Sequence, residues 1–140
     1  MRRGAEIVTG EFRIAAFRTG FAITSIRSCR DLIVWQKSKE LAKLIYCVTD
    51  QMPRSEPFGL TTQLRHAAVS IPSHIAERYN RKTTPEYMRS LRIASGSQAD
   101  LSTQYEIAIA LDLIKPSQQT TALLTEVDRL LFALIRKLNP

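Results

Sequence analysis

Six cations crowd the stretch from position 65 to position 92: Arg65, Arg78, Arg81, Lys82, Arg89 and Arg92, set against Glu77 and Glu86. Guanidinium forks match phosphate oxygens, and neutralised phosphates release counterions, so such a cluster would hold polyanions in a salt-sensitive way. Helical projection turns Arg89 and Arg92 away from the apolar stripe of Tyr87, Leu91 and Ala94 and toward solvent. Arg81 and Lys82 fall in the adjoining turn, and Arg78 closes the preceding apolar stretch. Arg78, Arg81, Lys82, Arg89 and Arg92 are therefore the candidate nucleic-acid-binding set for RNA or DNA. Tyr79 and Tyr87 offer rings on which unpaired bases could stack. The same charges fit an ordinary solvated face equally well, and both readings stand at the level of sequence.

Other chemistry finds less support. His66 and His74 are the only histidines and lie eight residues apart, with no matched carboxylate cluster. No metal or other cofactor is expected. Ser70 and Ser73 flank His74 in sequence, but a neighbouring serine and histidine do not make a triad. No nucleophile elbow, phosphate-binding loop, HExxH or dinucleotide fingerprint occurs, and no enzyme is expected. Cys29 and Cys47 show no CxxC spacing, which points to a reducing cytoplasm rather than a disulfide framework. Cys47 falls in a helical pattern as a small core or flank residue. No run approaches the length a membrane helix needs, so no membrane partner is expected.

Helical periodicity positions these residues. Four segments read as helices of about 20 residues or more, hence roughly 30 Å each. The first, from about Leu32 to Met52, carries Leu41, Leu44, Ile45, Val48 and Met52 on one stripe, with Asp31 as the expected N-cap. The second, from about Phe58 to Tyr79, keeps Leu60, Leu64, Ala67, Ala68, Ile71 and Ile75 in phase across Pro72, so one kinked helix is expected. Asn80 to Thr83 make a turn. Thr84, Pro85 and Glu86 then read as N-cap, first-turn proline and first-turn acid.

The third segment, Pro85 to about Leu113, places Tyr87, Leu91, Ala94, Leu101, Tyr105, Ala108 and Asp112 at near-heptad spacing, with Gln98 as the polar member. Its run Ala94, Ser95, Gly96 and Ser97 is small throughout. Glycine costs a helix about 1 kcal/mol relative to alanine, and close approach of another backbone or a local bend would explain it. The run is the candidate self-association surface. Ser117 is placed to cap the fourth segment, Gln118 to Leu138, whose leucine stripe is the cleanest in the chain.

The short connections make neighbours antiparallel. The expected fold is all-α, an up-down-up-down four-helix bundle over residues 31–140 with a kinked second helix. No strand pattern or internal repeat competes with it. Residues 1–30 differ: six arginines oppose two glutamates there, and the apolar stretches are broken by charge. This basic N-terminal arm reads as a loosely ordered extension rather than a nucleic-acid-binding tail. The 140-residue chain carries net charge +7, which favours polyanionic or acidic partners.

The residues that carry chemistry also carry a resemblance. Asp31-Leu32-Ile33-Val34-Trp35-Gln36-Lys37, Phe58-Gly59-Leu60-Thr61 and the run from Ala67 to Glu77, AAVSIPSHIAE, resemble the four-helix bundle proteins related to the 23S rRNA intervening-sequence protein. Ile93-Ala94, Gly96-Ser97, Leu101, Thr103 and Gln104 continue the likeness, which covers about residues 30–115 in motifs and the fourth helix in pattern. The resemblance implies a small bacterial protein that assembles as a homopentamer. One branch is similar to the accessory variability determinant of diversity-generating retroelements, which works beside a reverse transcriptase and binds nucleic acid through a basic surface. A reverse transcriptase is thus a partner the resemblance suggests. No catalytic residues come with the family. The chain departs from the pattern at Arg78 and Asn80, where the family commonly has glycine. It departs again at Asp100 and Ser102, which stand in place of an acidic pair.

Overall fold

The computed structural model describes residues 32–53, 59–77 and 84–138. They form four helices: α1 (Ile33–Thr49), α2 (Leu60–Ala76), α3 (Thr84–Ala110) and α4 (Gln118–Leu138), with no strand among the described residues. The arm and Asp31, and residues 78–83 with Arg78, Arg81 and Lys82 among them, lie outside the described residues.

Each helix buries one stripe, and the stripes meet in one interior. Leu41, Ile45, Leu64, Ile71, Ile75, Leu91, Leu101, Val127 and Leu131 are almost wholly buried. On α3 the seam positions Leu91, Ala94, Gln98, Leu101, Tyr105 and Ala108 alternate in steps of three and four, with Met88 and Ser90 also buried at the start of the helix. That alternation holds a straight seam against neighbouring helices. α3 packs on α2 and α4, and α1 packs on the same two helices, so the four close into a bundle around the apolar stripes.

Polar contacts fix how the helices are registered. Along the α2–α3 seam Gln104 Nε2 donates to Gln63 Oε1 at 3.5 Å, Ser70 and Ser97 share a 2.8 Å hydrogen bond, and Ser90 donates to Glu77 at 3.1 Å. Each rung lies seven residues further along α2 and seven residues back along α3, so the two helices run antiparallel in one heptad register. Between α3 and α4 the buried Gln98 amide donates to the Leu124 carbonyl at 2.8 Å, and the Ser117 N–H donates to Tyr105 Oη at 3.0 Å. Those pairings run α3 and α4 antiparallel as well.

The ends are built by recognisable local devices. Ser117 accepts the Thr120 N–H at 3.2 Å and so caps α4 as its sequence position suggests. The start of α1 differs from expectation. Leu32, in an extended conformation and without a side-chain cap, is the N-cap, so α1 begins on backbone bonds from Trp35 and Gln36 to its carbonyl. α2 continues as one helix through Pro72, which is buried. α3 ends where Asp112 takes φ 59°. Its N–H reaches the Ile109 carbonyl at 2.9 Å, and the Leu113 N–H reaches the Ala108 carbonyl at 2.9 Å. This is the double bond of a Schellman end, with aspartate where glycine usually stands. Asp112 therefore leaves the α3 stripe that its spacing suggested and is exposed.

Candidate nucleic-acid interface

Arg89 and Arg92 sit one turn apart in the first half of α3, and both are exposed. The buried partners of that turn are Met88, Ser90, Leu91 and Ala94, which bind α3 to the bundle and leave the arginines on the opposite arc. Neither guanidinium makes an ion pair or hydrogen bond among the described residues. Residues at this spacing have Cβ atoms about 5–6 Å apart, close enough for both forks to meet adjacent phosphates. Arg78, Arg81, Lys82 and Tyr79 lie outside the described residues. Tyr87 is half-buried and packs against the core, as its place on the apolar stripe suggested, so its ring is only partly open to a base.

Arg65, counted in the same cluster by sequence, is already engaged. Its Nε donates to Thr49 Oγ1 at 2.8 Å, its Nη2 to Asp50 Oδ1 at 2.9 Å, and its guanidinium lies 4.5 Å from the Tyr46 ring centroid. It ties the end of α1 to α2. The signal for this was the pair Thr49-Asp50, but only the register between the two helices reveals that they meet Arg65.

His66 and His74 stand in different surroundings. His66 is exposed. His74 Nδ1 lies 2.9 Å from the Ser70 carbonyl and 3.1 Å from Ser70 Oγ, one turn back on its own helix. The imidazole is a link in a chain from Ser97 through Ser70, with Nε2 3.9 Å from Glu77. Among the described residues no three His, Cys, Asp or Glu side chains gather to hold a metal ion. Cys47 is an exposed free thiol, not a core residue.

The small-residue run divides between inside and outside. Ala94 is fully buried in the chain's own core, and Ser97 is held by Ser70. Gly96 is exposed, and a Cβ built on it would meet nothing within 4 Å. Close backbone approach within the described residues therefore does not account for the glycine. Ile93, next to this run, is 43% exposed.

Residues 30–135 match the family described as 23S rRNA-intervening sequence protein. The chain belongs to that family. The match takes in all four helices up to the last turn of α4 and excludes the N-terminal arm. Comparison with curated proteins returns no match. No helix among the described residues is long and apolar enough to cross a membrane.

Proposed function

We propose that this chain is a non-enzymatic, oligomeric helical bundle that binds RNA or DNA through a basic surface. The observation that carries the reading is the pair Arg89 and Arg92. Both are exposed and free of carboxylate partners among the described residues, one turn apart on a helix held rigidly by a heptad seam. A solvated salt-bridge face would spend these charges on neighbouring acids. Here α3 leaves them unspent, and their forks suit phosphate oxygens. Arg78, Arg81 and Lys82 precede α3 in the sequence and add three cations to the same run. The family description, which ties its members to an insertion in ribosomal RNA genes, favours RNA as the first ligand to try.

A mobility-shift titration with structured RNA at rising salt tests the assignment. Complex formation should weaken steeply with salt, and the double charge reversal Arg89→Glu/Arg92→Glu should remove most of it. Retention of full binding by that variant would move the interface elsewhere.

A second reading, a module that binds only proteins, is favoured by a separate observation. Ile107, Leu111 and Phe132 are large apolar side chains left 44–61% exposed. Assembly of identical chains, as the resemblance implies, would cover such surface. Gly96 and Ser95 would then admit a neighbouring backbone from outside rather than from within the chain.

A further inference from the structure

The seam between α1 and α2 carries an open trough on its outer side. Ala42, Val69 and Pro72 form an apolar floor, while Trp35, Lys39 and Lys43 stand along the α1 side. The trough continues past Val69 to Tyr46, Arg65 and His66. From Trp35 to Tyr46 this is twelve residues of α1, or roughly 16 Å, about three helical turns. No carboxylate lines either part. Asp50 holds Arg65 beside the far end, which leaves Lys39 and Lys43 as the lining cations without a carboxylate partner among the described residues.

The geometry points to a docking groove for an acidic amphipathic helix from a partner protein. Three features select that occupant. Val69 stays 43% exposed and Tyr46 44% exposed although both flank a packed helix pair, so apolar surface is left for a partner to cover. The cations stand beside the floor rather than within it, as an apolar stripe flanked by carboxylates requires. Each of the two rings already has a cation over one face. Lys39 Nζ lies 4.1 Å from the Trp35 ring centroid, and the Arg65 guanidinium lies 4.5 Å from that of Tyr46. Ala42, Val69 and Pro72 themselves present no donor to a phosphate, and the hydroxyls in the lining, Ser73, Thr61 and Thr62, stand on the α2 side. Nucleic acid is thus better served by the α3 arginines, and this groove is a separate surface.

Trp35 is the only tryptophan in the chain and lies at the groove, so its emission reports occupancy directly. The full chain would be titrated with a designed helical peptide of about 14 residues, roughly 20 Å long, with leucines on one stripe and glutamates beside it. The same stripe flanked by lysines, and a single-stranded oligoribonucleotide, are the comparison probes. The expected result is a saturable Trp35 shift with the glutamate peptide and binding at least roughly tenfold weaker with the lysine peptide. Lys39→Gln/Lys43→Gln should weaken the glutamate peptide by a similar factor while helical circular dichroism is unchanged. Val69→Lys, at a partly exposed site, should weaken both peptides. Equal affinity for the two peptides, no response to either, or indifference to the lysine changes would overturn the proposal. A shift with RNA alone would assign the groove to nucleic acid. A shift with protein concentration alone would assign it to a second copy of the chain. Either of these also overturns it.

Discussion

Two single residues stand in conformations or surroundings that their side chains do not suit, and both are open to measurement. Asp112 ends α3 at φ 59°, where a Cβ crowds the following carbonyl at about 1–2 kcal/mol for an ordinary residue, less for aspartate. Its side chain is exposed, so nothing in the core depends on it. Asp112→Gly should raise stability by about 0.5–1 kcal/mol in thermal or denaturant unfolding, the gain offset in part by the freer unfolded glycine. Gln98 is the inverse case. It is 1% exposed, and its Nε2 donates to Leu124, but its Oε1 finds no hydrogen-bond partner among the described residues. An unmet buried acceptor costs about 1–3 kcal/mol, comparable to what the one good bond returns. Gln98→Met, of similar volume, should therefore be neutral to stabilising by about 1–2 kcal/mol in urea unfolding. Its retention is then a matter of register, since a polar side chain in an apolar seam penalises a slipped pairing.

At the scale of the helix, α3 governs both the fold and the candidate interface. Its heptad stripe turns Leu91, Gln98, Leu101 and Tyr105 inward, and the same rotation sends Arg89, Arg92 and Gly96 out. Gly96 meets no neighbour within 4 Å, so Gly96→Ala should add about 1 kcal/mol of helix stability in chemical denaturation of the isolated chain. A loss of self-association in the same variant, read by light scattering, would show that a neighbouring chain needs the missing methyl. Periodicity made most of this legible: the α3 stripe, the limits of α4 and the Ser117 cap all follow from local spacing. What stayed hidden depends on register between helices. The rungs from Gln63, Ser70 and Glu77 to α3, and the capture of Arg65 by Thr49 and Asp50, join residues far apart in sequence. Asp112 misled because a period-matching residue one turn past the last buried alanine can end a helix as readily as extend it. The outward turn of Arg89 and Arg92 was readable from the helical period alone. The half-burial of Tyr87 was readable from the same period, since Tyr87 shares the stripe of Leu91 and Ala94.

Taken whole, the bundle separates its surfaces by charge and polarity. The α1–α2 side presents an apolar trough flanked by Lys39 and Lys43, and the first half of α3 presents unpaired arginines. The groove between α3 and α4 presents hydroxyls with Glu106 and Asp128. The Lys37–Glu126 pair, at 3.7 Å and partly exposed, ties α1 to α4 at little energetic gain. On the two proposals above, one face would hold a polyanion while another meets protein. Cations on the α1–α2 side are not expected to contribute strongly to RNA affinity, because their neighbours suit an apolar partner instead.

The salt dependence of RNA binding tests the central claim most directly. The observed affinity of the wild-type chain and of Arg89→Gln/Arg92→Gln would be measured across a salt series. With both arginines on phosphates, the logarithmic slope should fall by about 1.4–1.8 in the variant, at unchanged helical content. A parallel line of equal slope and affinity would show that these two arginines touch no phosphate, and would contradict the interface drawn on α3.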